Sequence, residues 1–114
     1  MGHTDTLTIS DCGLPMPSGV KRIDLAIKPG LPSFIEVLEN VRGEMVVEKI
    51  TIAEEMIINN EEIYEEIKKM FEDVEIEFVS HEEFKKETEK SKAIIRTGEC
   101  TPYANVMLSS GVIF

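Results

Sequence analysis

Several residue types are scarce in this sequence. It contains two cysteines, two histidines and no tryptophan among 114 residues. Two thiols without a CxxC spacing predict free, reduced side chains rather than a disulfide framework or a zinc site. The chain has no apolar run near the roughly 20 residues that a membrane span needs, and it does not open with a charged and then apolar leader. We therefore expect a cytoplasmic protein that does not contact a membrane.

Basic residues are also few, and this limits the classes of partner. The net charge is −10, and 14 of the 22 acidic residues fall between Glu54 and Glu89. A field of this sign repels phosphate backbones, so nucleic-acid binding is not expected. The sequence contains no Walker A loop, no GxGxxG and no G-x-S-x-G motif, so nucleotide-binding and serine-hydrolase functions have no support.

The order of the predicted elements indicates one α/β domain over 1–114. A chain of this length is long enough to bury a core without disulfides or metals. The predicted strands are 6–10, 22–27, 46–53, 75–79, 93–97 and 106–108. The predicted helices are 32–42, a helix capped by Asn59-Asn60 that runs to about Phe71, and a helix from the S-x-x-E capping box of Ser80 and Glu83 to about Lys90. This alternation predicts a single layered domain, with a mainly parallel or mixed sheet flanked by helices.

Few side chains are suited to chemistry near neutral pH. His3 precedes the first strand, and His81 is predicted to be the first helical residue after Ser80, where free backbone N–H groups could orient an oxygen. Lys85 lies four residues later, on the same helical face as His81. Asp11 follows the first strand, at the end of the sheet where α/β proteins commonly bind ligands.

Other interpretations of these residues stay open. His3, Asp11 and His81 could form a metal site of two histidines and one carboxylate, although their spacing matches no metal motif. Cys100 could be a nucleophile, but no base is adjacent to it in sequence, and a small packed thiol is the alternative. Each histidine could equally be an ordinary surface residue.

Four segments, in order and with compatible gaps, resemble the D-ribose pyranase family over essentially the whole chain. They are Gly2-His3-Thr4-Asp5, Asp11-Cys12-Gly13-Leu14-Pro15-Met16-Pro17, Ser80-His81-Glu82-Glu83-Phe84-Lys85 and 96–105 (RTGECTPYAN). The related L-fucose mutarotases carry Gly at the position of Thr4, Asp-Ala-His-Phe-Pro at 11–15 and Tyr-Gly-Asn at 103–105. The resemblance is therefore to the pyranases rather than to the mutarotases.

The resemblance implies an isomerase that interconverts the pyranose and furanose forms of D-ribose. It implies that His3 is the catalytic proton donor, and that Asp11, His81, Tyr103 and Asn105 bind the sugar. Lys85 is a further candidate for sugar binding, and Ala104 would contribute through its backbone. Family members need no metal or organic cofactor and assemble as homo-oligomers, typically ring-shaped decamers. They also carry a helical segment before Gly-His-Thr-Asp, so the domain at 1–114 is expected to be N-terminally short.

The implied reaction needs only acid–base chemistry. Opening the hemiacetal requires a proton for the ring oxygen and the removal of one from the anomeric hydroxyl, and a histidine with a pKa of about 6.5 can do either. Two other functions remain: a non-catalytic sugar-binding accessory of ribose uptake, and a mutarotase of another sugar such as fucose. The rate of exchange between ring forms separates the first of these from an enzyme.

Overall fold

The structure is a computed structural model, and it describes residues 5–110. Across that range, no helix has the length and apolar character needed to cross a membrane. The strands are β1 (Thr6–Ser10), β2 (Lys21–Asp24), β3 (Val47–Ala53), β4 (Glu75–Val79), β5 (Ala93–Arg96) and β6 (Val106–Ser110). The helices are α1 (Phe34–Arg42), α2 (Glu55–Asn59), α3 (Glu61–Met70) and α4 (His81–Glu87), and α4 continues into a 3₁₀ turn at Thr88–Lys90.

The strands form one six-stranded mixed sheet in the order β2-β5-β1-β6-β3-β4. β1 and β2 pair parallel to β5, and β3 pairs parallel to β4, whereas β6 runs antiparallel to both of its neighbours, β1 and β3. Five strands therefore point the same way. Their carboxyl ends share one edge of the sheet, and β6 begins at that same edge.

Helices cover both faces of the sheet. Alternate strand residues such as Ile9, Ile52 and Leu108 join Phe34 of α1 and Ile67 of α3 in the main hydrophobic core. A smaller cluster of Leu14, Phe84 of α4 and Met107 forms on the other side, with Val79 packed against it. Because side chains alternate between the faces of a strand, neighbouring residues of β6 contribute to different cores. The expected fold class, a layered α/β domain with a mixed sheet flanked by helices, is confirmed.

The helix caps differ in part from those expected. Ser33 and Glu36 form a complete capping box at α1, which the sequence analysis did not identify. At α4 the Ser80 side chain accepts from the backbone N–H of Glu83 at 3.1 Å. The reciprocal bond, in which the Glu83 carboxylate would accept from the Ser80 N–H, is not among the described contacts. Asn60 is the N-cap residue of α3, yet its side chain makes no capping hydrogen bond. The reason is that the Asn60 amide is used elsewhere.

Several element boundaries differ from those expected; β6, for example, extends to Ser110 rather than ending at Leu108. β2 ends at Asp24 rather than Ile27, because the Asp24 carboxylate accepts from the backbone N–H of Ala26 and turns the chain away from the sheet. The short helix α2, which was not predicted, follows β3 and buries Met56. A single residue, Asn60, separates α2 from α3 and caps both helices.

Candidate functional site

Side chains from three parts of the chain meet at the edge of the sheet where the parallel strands end. Asp11 follows β1, His81 follows β4 at the start of α4, and Tyr103 lies in the loop before β6. A cavity of about 230 Å³ lies between them, lined by Asp11, Gly13, Leu14, His81, Pro102 and Tyr103. Because β6 is antiparallel, its leading loop reaches the same edge as the ends of β1 and β4. The topology thus brings together residues that are 92 positions apart in sequence, as Asp11 and Tyr103 are.

Asp11 is a partly buried acid with a fixed side chain. Its Oδ1 accepts from the backbone N–H of Gly13 at 3.0 Å. Burial raises the pKa of Asp11 above its ordinary value, while hydrogen bonds from the Gly13 and Leu14 backbone and the charge of His81 act in the opposite direction. A carboxylate that is short of water is a strong acceptor for a hydroxyl group.

His81 and Tyr103 form one wall of the cavity as an edge-to-face ring pair. Their ring centroids are 4.9 Å apart, with an interplanar angle of 81°. The Nδ1 atom of His81 is buried and has no hydrogen-bond partner within the described residues. Tyr103 has a φ of 58°, the left-handed region that a bulky residue rarely occupies. Such backbone strain tends to be found at functional sites.

Asn105 lies behind the cavity with its side chain almost fully buried, at 1% exposure. Its Oδ1 accepts from the backbone N–H of Asp11 at 2.8 Å, which ties the loop after β1 to the start of β6. Its Nδ2 is buried without a hydrogen-bond partner among the described residues, although the amide is close enough to help lower the pKa of Asp11. A buried donor of this kind is costly unless a ligand or water satisfies it. Ala104 is fully buried and packs into the main core.

Two polar residues that the sequence analysis did not select hold this site in place. The Glu55 carboxylate of α2 accepts from the backbone N–H of His81 through both oxygens, at 2.9 and 3.2 Å. The N–H expected to orient a ligand is therefore already used. Asn60 Nδ2 donates to Thr101 Oγ1 at 2.9 Å and to the Pro102 carbonyl at 2.8 Å, which anchors the loop that carries Tyr103. Glu55 begins α2 just after β3, and Asn60 lies between α2 and α3, so their only sequence signal is that they follow β3 at this edge of the sheet.

The remaining predicted residues are not brought into the cavity by the described part of the chain. Lys85 is on α4 as expected, but its Nζ pairs with Glu82 at 2.9 Å, and it is not one of the six lining residues. His3 lies outside the described residues, so its predicted position is not tested. Within 5–110, no three His, Cys, Asp or Glu side chains are grouped as a metal site would require. The trio of His3, Asp11 and His81 includes a residue outside that range.

The comparison with protein families defines the class of protein. The model of the RbsD / FucU transport protein family matches residues 1–113. The chain belongs to this family.

Individual relatives narrow the comparison. The chain is 61% identical to a D-ribose pyranase of Bacillus cereus over 114 residues, which is 100% of this chain and 87% of the relative. The structure of Bacillus subtilis RbsD complexed with D-ribose superimposes with a TM-score of 0.98 at 50% identity, covering 100% of this chain and 87% of that one. The fucose mutarotase of Streptococcus pneumoniae, solved in complex with L-fucose, matches with a TM-score of 0.80 at 25% identity over 100% of this chain and 87% of that chain. The sequence identity and the TM-score both place the chain nearer to the ribose protein than to the fucose protein.

Proposed function

We propose that this protein is an isomerase that interconverts the pyranose and furanose forms of D-ribose. One observation carries the proposal: a small cavity is lined by the carboxylate, imidazole and phenol of Asp11, His81 and Tyr103. Its volume of about 230 Å³ is below the roughly 300–1,000 Å³ typical of sites for larger ligands, which suits a monosaccharide. The similarity to a D-ribose pyranase and to the ribose-bound RbsD supports the choice of sugar.

The roles of the residues follow from their chemistry. Asp11 accepts a hydrogen bond from a sugar hydroxyl, and His81 Nδ1 and Asn105 Nδ2 use hydrogen-bonding capacity that the described residues leave unused. Tyr103 contributes a hydroxyl and an apolar ring face, and Ala104 contributes through its backbone. Lys85 is a further candidate for sugar binding, but its ammonium group would first have to break its ion pair with Glu82.

His3 is the proposed proton donor to the ring oxygen. Acid–base catalysis contributes about 10²–10⁴-fold, which is enough for a ring opening that water already performs slowly. No covalent intermediate is needed, and no metal or organic cofactor takes part in the proposed steps.

The protein is further proposed to act as a homo-oligomer, a decamer, in the cytoplasm. Exposed apolar side chains lie on the β3 and β4 side of the sheet: Val46 before β3 and Phe78 of the edge strand β4 are 52% and 41% exposed. An apolar group of this kind at the end of a sheet suits contact between subunits. Light scattering at micromolar concentration should give a mass several times that of the chain, and a monomer mass would exclude the assembly.

Magnetisation-transfer NMR tests the function directly, because it measures exchange between the ring forms at equilibrium. The wild type should accelerate pyranose–furanose exchange of D-ribose. His3→Ala should slow it by about 10²–10⁴-fold with little change in affinity. His81→Ala should mainly weaken binding, at a cost of about 0.5–1.5 kcal/mol for a lost hydrogen bond.

Three outcomes would favour the alternatives. Ribose binding without any acceleration, or full exchange in the His3→Ala variant, would indicate a sugar-binding accessory or a different acid. Faster exchange between the anomers of L-fucose than between the ring forms of ribose would indicate a mutarotase. Circular dichroism of each variant would show whether the fold is intact.

A further inference from the structure

The two cysteines lie side by side although they are 88 positions apart. The Sγ atoms of Cys12 and Cys100 are 3.6 Å apart. The backbone around them is fixed: the Cys12 N–H donates to the Glu99 carbonyl at 2.9 Å, and Arg96 Nε donates to the Cys12 carbonyl at 3.0 Å. Cys12 directly follows Asp11, and Cys100 lies in the loop that leads to Tyr103. The pair therefore joins the two loops that form the candidate site.

We propose that Cys12 and Cys100 are a modification site at which an anionic low-molecular-weight disulfide converts the two thiols into an intrachain disulfide. Bond formation requires the sulfur atoms to approach to about 2.05 Å. The remaining movement of about 1.5 Å is within the range of side-chain rotation when the backbones are already hydrogen-bonded together. The cross-link would fasten the loop after β1 to the loop before β6.

A second cavity gives a reagent access to both thiols. It has a volume of about 230 Å³, and its lining includes Cys12, Lys28, Arg96 and Cys100. Lys28 beside the two thiols favours a disulfide that carries carboxylates, because its ammonium group attracts the reagent and stabilises a departing thiolate, whereas Arg96 is already paired with the Asp24 carboxylate at 3.0 Å. Glutathione disulfide is a suitable probe of this class.

The reaction proceeds in two exchange steps. Cys100 is exposed and Cys12 is half-buried, so the Cys100 thiolate attacks first. Its sulfur bonds to one sulfur of the reagent, whose S–S bond breaks and releases one thiolate. The Cys12 thiolate then attacks the Cys100 sulfur of this mixed disulfide, closes the intrachain bond and releases the second thiolate. Two electrons pass to the reagent, and the two cysteine protons end on the two released thiols.

The electrostatics of Cys12 agree with its role as the second thiol. Its hydrogen bond with Cys100 raises the pKa of Cys12, burial and the negative charges of Cys100 and Asp11 add to the rise, and Arg96 opposes it. A raised pKa leaves less thiolate at neutral pH, so the closing step should be the slower one and should accelerate as the pH rises.

Mass spectrometry of the protein treated with glutathione disulfide tests the proposal. The wild type should lose two hydrogen masses and all free thiol while remaining a single unlinked chain. Cys12→Ser should stop at one bound glutathione, and Cys100→Ser should react far more slowly. Lys28→Gln should lower the rate severalfold at low salt and little at high salt.

Thermal melting supplies the second readout. A cross-link over 88 positions should raise the Tm by about 5 °C or more, and a reducing agent should reverse the change. If the site binds ribose as proposed above, the oxidised protein should keep its ribose affinity within about twofold, because the loops are already joined. The mass and melting readouts need no sugar, so they do not depend on the proposed function.

Three results would overturn the proposal. These are a wild type that stops at the mixed disulfide, cross-linked dimers on a non-reducing gel, and an oxidised form with a lower Tm. Loss of ribose affinity on oxidation, with affinity intact in the reduced protein, would also count against it, because it would mean that the disulfide does not fit the native loops.

Discussion

Asn60 offers the sharpest test of how the site is supported. Its side chain is 8% exposed. Its amide donates to Thr101 Oγ1 at 2.9 Å and to the Pro102 carbonyl at 2.8 Å. Thr101 Oγ1 in turn donates to Glu99 Oε2 at 2.7 Å. Removing the amide in Asn60→Ala therefore releases the loop that holds Tyr103 in its strained conformation.

The expected magnitude follows from the two lost hydrogen bonds. Each contributes about 0.5–1.5 kcal/mol, so Asn60→Ala should lower the free energy of unfolding by roughly 1–3 kcal/mol. Part of the effect should appear at the sugar site, since a mobile loop must be ordered again when the ligand binds. Ribose affinity should fall severalfold, while the exchange rate at saturating ribose should change less.

Asn59→Ala is the matched control. Asn59 is the same residue type one position earlier, but it is exposed and donates only to the Glu55 carbonyl of its own helix, at 2.9 Å, among the described contacts. Its loss should cost well under 1 kcal/mol and leave ribose binding unchanged. Urea denaturation and calorimetric titration with ribose measure the two quantities. Equal losses in both variants, or a destabilised Asn60→Ala with normal ribose affinity, would refute the anchoring role.

The remaining predictions concern the close packing of Gly98 against the backbone and the pH dependence of stability at Asp11 and Asp24. A Cβ at Gly98 would lie 2.6 Å from the Lys28 carbonyl oxygen and would clash with the Leu31 backbone. Gly98→Ala should therefore cost about 1–3 kcal/mol or more in urea denaturation, whereas Gly43→Ala, whose nearest contact is 3.6 Å away, should be neutral or slightly stabilising; equal effects would contradict the packing argument. Burial raises the pKa of Asp11 above 3.8, so protonated Asp11 contributes to the stability of the fold at low pH. This contribution is lost as the pH rises through the raised pKa. Asp11→Asn should accordingly be more stable than the wild type at neutral pH, and this advantage should vanish in acid. The pKa of Asp24 is lowered by the Ala26 N–H and by Arg96, so Asp24→Asn should instead lose stability at neutral pH and lose less as the pH falls; pH-dependent unfolding curves of the same sign for both variants would refute this assignment.

Much of the fold follows from local patterns in the sequence. β-Branched and alternating runs identified all six strands, and apolar spacing with capping residues identified α1, α3 and α4. The strand order could not be predicted, because the position of β6 between β1 and β3 depends on contacts between distant segments. Helix α2 was missed because five residues are too few to show a helical period. Asn60 is the cap residue that was expected, but its side chain makes tertiary hydrogen bonds instead of a local capping bond.

The candidate site could be predicted only in part. Asp11 and His81 were recognisable as polar residues at the ends of predicted strands, and the structure brings both to one cavity with Tyr103. Glu55 and Asn60 could not be chosen among so many acidic and amide side chains, since their importance depends on which backbone groups they meet. The contact between Cys12 and Cys100 could not be predicted for the same reason. Both thiols are free in the structure, as expected.

The cavity also collects features that a sequence selected for stability alone would avoid. Asp11 has a carboxylate whose pKa is raised by burial, Tyr103 has a positive φ, and His81 and Asn105 each bury a polar atom without a partner in the described chain. Each of these costs free energy, and they occur within one small volume. Unfavourable features that coincide in this way are expected where the binding of a ligand offsets their free-energy cost. From the geometry alone we therefore expect a polar ligand at this edge of the sheet, and the relatives determine which sugar to test first.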